Sequence, residues 1–367
     1  MIKRLYLFAK HIKKRVYKLF VFLCNYKSYI NCETYYPEKQ LKNKLVIFTD
    51  FVLHIIKTGE IDHSYFELGL DVKGNSYKTF LSYNQFMVRR DKLNLTTPYN
   101  YVCLMRDKSL FNSLCNVWGF PTINELGKIK DGILYDTKYN SIIEILYANK
   151  SLFIKPLDSK KGQDIHKIEY INDNVYINND NKSINELEVY IKELSCKNNF
   201  LIQKKIIQHP HISTIYEKSI NTLRVVTINN LKSHDPNDIY VLGVELRVGA
   251  NGNFTDNISA GGVKIGVDES GCLCKYGYFN HKFGTKSLIH PDTQTVFEGY
   301  SIPYYSDAVE LCKKFHSKIQ GIHLIGWDVA ITVDGPIFIE GNDSCGTDFQ
   351  VLYGPMKHVY DKYLPEL

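Results

Sequence analysis

The chain has 367 residues, 44% hydrophobic and 23% charged, a globular composition long enough for two or three packed layers or subdomains. Its formal net charge is +6, but Lys3, Arg4, Lys10, Lys13, Lys14, Arg15, Lys18 and Lys27 all precede the first acidic residue, Glu33. The remainder is close to neutral, so bulk charge gives no reason to expect nucleic acid as a partner.

The opening stretch, MIKRLYLFAKHIKKRVYKLFVFLC, is basic and apolar at once. Its longest apolar run, Leu19 to Cys24, is too short to span a bilayer, and it has no small-residue cleavage site of a secretory signal. A basic helix over residues 1–32 is expected. Residues 1–27 fit an interfacial helix held at anionic lipid and equally a basic helix packed on the protein's own surface. The nine cysteines are scattered without a CxxC pair. Cys272 and Cys274 give the only close spacing, and no Cys/His pair follows to complete a zinc set. A reduced, cytoplasmic location is expected, peripheral to the inner face of the membrane if the basic helix binds lipid.

KLVIFTD, Lys44 to Asp50, reads as a strand leading into a mixed region over 33–105. RDKSLFNSLCNVWGFP predicts a helix from about Lys108, closed by Gly119 with Pro121 beyond it. SLFIKPL predicts a short strand carrying one lysine, and HKIEYINDNVYINND a hairpin that turns about Asn172, Asp173 and Asn174. SINELEVYIKELS has Ser183 and Glu186 at capping-box spacing and an apolar stripe of Ile184, Leu187, Ile191 and Leu194. FLIQKKII is a further strand. Beyond His211 long β-rich runs follow, NTLRVVTI and IYVLGVELRVG, then a glycine-bearing loop, TDNISAGGVKI. A polar helix from Ser306 to Ile319 precedes a hairpin, IGWDVAITVDGPIFIEGND. The expectation is an α+β chain: a small lid over 106–207, then a larger β-rich core over 208–367.

Charged residues inside these apolar strands carry the chemistry. Lys155 lies between Ile154 and Pro156, where a lysine needs an anion or carbonyl partner or must reach water along its stem. The turn after it, with Lys160, Lys161 and Gly162, is of a kind that presents backbone N–H groups to phosphate. Gln203 and Lys204 close a strand in a polar cluster where an adenine edge fits. Arg224 and Arg247 stand in strands flanked by apolar residues and cannot shed their charge, so each calls for an anionic partner. Asp328 and Glu340 are buried carboxylates that call for cations. A three-residue loop, Val333 to Gly335, would pair Asp328 directly with Glu340 and set Asn342 on the same face.

Order and spacing of these parts resemble the ATP-grasp superfamily, and more closely its branch associated with sugar transfer and polysaccharide biosynthesis, related to glutamate-ligase-type enzymes. The resemblance is carried by RDKSLF, FIKPLDSKKG, LIQKKIIQHP, SINTLRVVTI, LRVGANGNFTDNISAGGVKIGVD, IHPDT, IPYY and IGWDVAITVDGPIFIEGN, from about Arg106 to Gln350. It implies two α+β subdomains clasping ATP. It further implies that Lys108 and Lys155 meet phosphates from the lid, that Gln203 meets adenine, and that Arg224 and Arg247 stand near the triphosphate and an acyl phosphate. By the same resemblance Asp256 and Asn257, with Gly261 and Gly262, form a closing loop, and Asp328, Glu340 and Asn342 bind magnesium. Relatives carry a richer glycine flap than Asp158 to Gly162 here, so either the two lysines replace backbone contacts or the nucleotide is held less firmly.

The chemistry so implied is amide formation through an acyl phosphate, between a small-molecule amine and a carboxylate. A sugar acid or amino sugar, lipid-linked or nucleotide-linked, in capsule or O-antigen assembly is the expected substrate class. A peptide or amino-acid ligase without a sugar substrate, and a nucleotide-binding scaffold without turnover, are the competing readings.

Overall fold

The computed structural model describes residues 2–95, 101–157, 165–196, 198–229, 238–319, 321–346 and 349–364. Its elements form two seven-stranded antiparallel sheets with helices around them. The expected turn at Lys160, Lys161 and Gly162 lies outside the described residues.

The N-terminal part is helical. Helix α1 (Ile2–Ile30) breaks its backbone geometry at Asn25, whose Nδ2 donates to the Val21 carbonyl at 3.0 Å. Helix α2 covers Lys44–Thr58, which corrects the strand expected at Lys44–Asp50. Asn43 caps it by accepting from Val46 N, and Gly59 in the left-handed region closes it. Its residues Ile47, Phe51, His54 and Ile55 are buried at helical spacing; the short window LVIF, apolar throughout, could not show that period. Helix α3 (Tyr83–Leu95) and the single turn α4 (Cys103–Arg106) lead to α5 (Lys108–Trp118). As expected, α5 starts at Lys108, with Asp107 accepting from Ser109 N and Leu110 N, and ends at Gly119.

The first sheet is built from β1 (Glu125–Lys130), β2 (Ile133–Tyr135), β3 (Ser151–Pro156), β4 (His166–Ile171), β5 (Asn174–Ile177), β6 (Asp180–Lys182) and β7 (Phe200–Lys204), in the order β2-β1-β7-β3-β4-β5-β6. Helices α6 (Ile142–Asn149) and α7 (Ile184–Ser195) cover one side, burying Leu146, Leu152, Ile168, Leu187 and Phe200 together. The hairpin β4–β5 turns at Asn172 and Asp173, both at positive φ, as two-residue turns require. Helix α7 carries the capping box between Ser183 and Glu186.

After the short α8 (Pro210–Ser213), the second sheet comprises β8 (Thr222–Asn229), β9 (Ile239–Val248), β10 (Val263–Val267), β11 (Leu273–Tyr278), β12 (Lys286–Ser287), β13 (Leu324–Thr332) and β14 (Gly335–Asn342). Their order is β12-β11-β10-β9-β8-β13-β14. Helix α9 (Tyr305–Lys318) packs on one face. There Phe111, Phe315, Trp327 and Phe338 form an aromatic cluster with centroid separations of 5.0–6.4 Å. The indole N–H of Trp327 donates to Thr227 Oγ1 at 2.7 Å. Alternation then sends the residues on either side of Trp327 to the opposite face, which is where the charged set lies. Helices α10 (Phe349–Tyr353) and α11 (Lys357–Tyr363) close the chain. The N-terminal helices pack against Tyr278 of β11 and Val351 of α10, and Lys264 reaches across to Glu67 at 2.7 Å.

Candidate active site

The hairpin β13–β14 decides which residues meet. Thr332 pairs with Gly335, so the loop has two residues, Val333 and Asp334, rather than the expected three. That register would place Asp328 opposite Ile339 and turn Glu340 to the aromatic face. A β-bulge between Asp328 and Val329, absorbing Ile339, restores the direct pair Asp328–Glu340. The odd residue sits in the strand instead of the loop, and bulges re-aim side chains in this way near functional sites.

In register, Glu245 of β9 opposes Arg224 of β8, Arg224 opposes Asp328 of β13, and Asp328 opposes Glu340 of β14. Four ionisable side chains thus form one row across four adjacent strands. Arg224 meets Asp328 two-pronged, Nε on Oδ1 and Nη2 on Oδ2, the latter at 2.7 Å. Gly326 leaves room for it, since a Cβ there would meet Arg224 Cδ and Nη1 at 3.4 Å and Cys345 Cβ at 2.9 Å. Asn342 Nδ2 donates to Glu340 Oε1 at 3.2 Å and to Asp328 Oδ2 at 3.4 Å. Asp328, Glu340 and Asn342 therefore converge on one face, as the sequence leads one to expect. Among the described residues no group of three or more His, Cys, Asp and Glu side chains is placed to hold a metal ion; the set here is two carboxylates and an amide.

The row sets the electrostatics. Burial pushes the Asp328 carboxyl up, but the Arg224 guanidinium overrides it and holds the group below the usual range. Glu340 goes the other way, raised by burial and by the neighbouring Asp328 charge. The Arg224 guanidinium, which burial alone would weaken as a base, is held charged by Asp328. Arg247 Nε donates to Glu245 Oε1 at 2.7 Å, while Glu245 Oε2 finds no hydrogen-bond partner among the described residues.

Both sheets line a cleft of about 1400 Å³. From the first sheet come Lys155 of β3 and the buried Gln203 of β7, opposed in register by Phe153, with the exposed Lys204 beside it. Lys108, at the start of α5, lines the same cleft. Burial lowers the Lys155 pKa, Lys108 lowers it further, and the carboxylates Glu340 and Asp256 pull it back up. Lys155 of the first sheet thus faces Glu340 of the core sheet across the cleft, while Lys108 comes from α5, which packs on the core sheet through Phe111. Asp256 and Asn257 line it as well. Asp256 Oδ2 accepts from Thr222 N at 3.2 Å, and burial together with the Asp328 charge raises its pKa to about 7.

Gly261 and Gly262 are not among the cleft-lining residues. Gly261 closes a turn of 3-10 helix at φ +100°. Any Cβ on Gly262 would stand 2.7 Å from the Asp256 carbonyl oxygen. These glycines fold the loop that carries Asp256 and Asn257. Sequence reasoning missed Glu245, although its i,i+2 spacing from Arg247 in VELRV puts both on one strand face. It also missed Arg106, exposed at the cleft, whose Nη2 donates to Asp343 at 2.7 Å. A pair 237 residues apart leaves no local signal.

The solved structures that match are distant. The ADP complex of purK, N5-carboxyaminoimidazole ribonucleotide synthetase, matches at 8% identity and TM-score 0.39, covering 66% of this chain and 46% of that one. The L-amino acid ligase from Bacillus licheniformis matches at 13% and 0.38, covering 72% and 48%. The D-alanine–D-alanine ligase from Bacillus anthracis matches at 12% and 0.39, covering 75% and 74%. The chain spans about half the length of the first two. No curated protein matches the sequence. A family model, by contrast, matches residues 89–358, a span that takes in both sheets and every cleft residue described above. The chain belongs to the sugar-transfer associated ATP-grasp family.

Proposed function

We propose that the protein is an ATP-dependent carboxylate–amine ligase whose product is an amide in a surface polysaccharide. The observation that carries this reading is the cleft itself. Lys155 and Gln203 of the first sheet and Lys108 at the start of α5 share it with Arg224, Arg247 and the Asp328–Glu340–Asn342 set of the core sheet. A cleft with cations on both walls and two carboxylates in its floor suits a triphosphate with its metal.

Asp328, Glu340 and Asn342 would hold magnesium. All three offer oxygen, the donor that this ion takes, and water or phosphate oxygens would complete its shell. Asn342 turns its amide nitrogen toward both carboxylates, standing in for the cation that would otherwise draw them together; its oxygen is the other end of the same amide. When bound, magnesium supplies charge neutralisation for the phosphates. The protein's own groups do the rest. Lys108 and Lys155 fix the phosphates, Gln203 meets the adenine edge, and the exposed Lys204 beside it stands near the nucleotide. Arg224 keeps Asp328 ionised and oriented. Arg247, anchored by Glu245, faces the transferring phosphoryl group, and the loop of Asp256 and Asn257 bounds the cleft beside it.

A substrate carboxylate oxygen then attacks the γ-phosphorus in line, and the bond to the β-bridging oxygen breaks to release ADP. The amine attacks the carbonyl carbon of the resulting acyl phosphate, phosphate leaves with the carboxylate oxygen, and the amine loses a proton. Positioning and charge neutralisation supply most of the rate, which is what the row of ionised side chains is arranged to do. The use of ATP places the reaction in the cytoplasm. The family's association with sugar transfer supports a substrate pair of an amino acid or small amine with a sugar acid, or an acid with an amino sugar.

Mass spectrometry of the surface polysaccharide, with and without the gene, tests the substrate class. Loss of one amide-linked substituent is expected; an unchanged glycan rejects the sugar reading in favour of a peptide or amino-acid substrate. At the residue level, Lys155→Met should raise the KM for ATP and lower kcat, each about tenfold or more, because one phosphate contact is lost in both ground and transition states. Unchanged ATP kinetics would return Lys155 to a lysine that merely reaches for water.

A further inference from the structure

The helix pair at the N-terminus has an outer face that the fold does not use. α1 and α2 run antiparallel. Arg15 Nε donates to the Ile56 carbonyl at 2.9 Å and Nη2 to the Lys57 carbonyl at 3.1 Å, Phe22 stacks on Phe51 at 5.3 Å, and Lys44 reaches Asn31 at the far end. The packed side is therefore filled. Away from it, Ile12, Val16, Phe20 and Leu23 are exposed on α1, Val16 and Phe20 by 62% and 64%. On α2 the exposed set is Leu45, Leu53 and Ile56, by 74%, 59% and 54%.

At about 100° per residue, each set falls within one arc of roughly 80–100° on its helix. Working round α2, the core-facing residues Ile47, Phe51 and His54 lie on the opposite side from Leu45, Leu53 and Ile56. Because the helices are antiparallel, the α1 stripe turns to that same outer side. Two apolar stripes side by side thus make one platform and are not singly scattered surface residues. Exposed Lys10, Lys13 and Lys27 stand on α1 and Lys57 on α2. Glu60, the nearest acid at that end, is occupied by Lys14 and Lys18. No described helix is long and apolar enough to cross a membrane.

We infer that α1 and α2 together seat the protein on the surface of an anionic bilayer, apolar stripes in the acyl boundary and lysines among the headgroups. Charge complementarity selects this occupant: the α1 stripe sits in a segment with no acidic residue before Glu33, the one acid of α2, Asp50, is paired with Lys42, and each lysine near an anionic surface adds about fivefold to affinity. The footing is the helix pair, not residues 1–27 alone. Phe22 is fully buried in the packing of both helices, so truncation would damage the fold and substitution of exposed residues is the cleaner test.

Full-length protein is spun with vesicles of phosphatidylcholine and with vesicles of phosphatidylcholine plus phosphatidylglycerol. Binding is expected only to the second. Lys10→Gln/Lys13→Gln/Lys27→Gln should weaken it on the order of 100-fold. Val16→Ser/Phe20→Ser/Leu53→Ser should abolish it, while thermal unfolding stays within a few degrees because the replaced side chains are exposed. No binding to either vesicle, equal binding to both, or wild-type binding by either triple variant overturns the inference. So does sedimentation velocity showing a dimer that the apolar triple variant converts to monomer, since the platform would then be covered by a second copy of the chain.

Discussion

Replacing Glu340 with glutamine should cut turnover on the order of 100- to 1,000-fold and leave the protein as stable as before, or more so. The two effects separate because they have different causes. Turnover falls because one of two carboxylates in the proposed magnesium set loses its charge, and the magnesium concentration needed for half-maximal rate should rise with it. Stability does not fall because the folded protein already disfavours this charge: burial and the adjacent Asp328 raise the Glu340 pKa. A carboxyl whose folded pKa is raised costs stability above its unfolded value, and that cost grows until the folded value is passed. Glutamine keeps the shape and the Asn342 contact without the charge. Calorimetry at about pH 8 against magnesium-dependent ADP release checks both halves. A variant that loses stability and activity together would mean that Glu340 is there to hold the hairpin.

Arg224→Leu should be the most destabilising single change in the site, by about 3–5 kcal/mol near neutral pH, because it leaves Asp328 buried and unpaired. The pH dependence identifies the cause. In the wild type the folded pKa of Asp328 is depressed by Arg224, so the stabilisation is present above the unfolded value and is lost as pH falls through the folded one. In the variant burial, the largest influence on the group, is opposed only by Arg247 and a hydrogen bond with Glu340, so the folded pKa should rise and the penalty be present above the unfolded value of about 4. Both contributions make the gap between the two proteins widest at neutral pH and narrower on acidification. Urea unfolding at about pH 7 and about pH 4.5 measures it. The double variant Arg224→Leu/Asp328→Leu should regain most of the stability while remaining inactive, since replacing both partners of a buried pair by apolar groups is tolerated far better than removing one. A gap that does not change with pH would point to lost packing instead of an orphaned charge.

How far the sequence carried the fold depended on the length of the signal. The capping box at Ser183, the Gly119 stop of α5 and the long apolar strands β8, β9 and β13 each have a local physical cause, and each appears where expected. Lys44–Asp50 did not, because its short apolar window lacks the turns needed to show helical spacing. The hairpin is the instructive case. Parity required one extra residue for Asp328 and Glu340 to face each other, and the residue is there, but as a bulge at Ile339 and not in the loop. Hydrophobic alternation fixes that an odd residue exists and is silent on where the strand absorbs it. The ionised row was legible in part. Arg224, Asp328 and Glu340 announced themselves as charges in apolar strands, whereas Glu245 was masked by its neighbour Arg247. Pairings that join chain segments far apart, such as Arg106 with Asp343 and Lys264 with Glu67, depend on the tertiary fold and leave no trace in local pattern.

The central claim is that the cleft activates a carboxylate by phosphorylation and hands it to an amine. Oxygen-18 tests this most directly. Purified protein, ATP and magnesium are incubated with panels of oxygen-18-labelled sugar acids and amino acids, each combined with a panel of amines, and products are read by mass spectrometry. For the true pair, ADP, amide and inorganic phosphate carrying one labelled oxygen should appear in equal amounts, and only when acid and amine are both present. AMP with pyrophosphate, ADP with unlabelled phosphate and no amide, or tight ATP binding without release of ADP from any pair would contradict it.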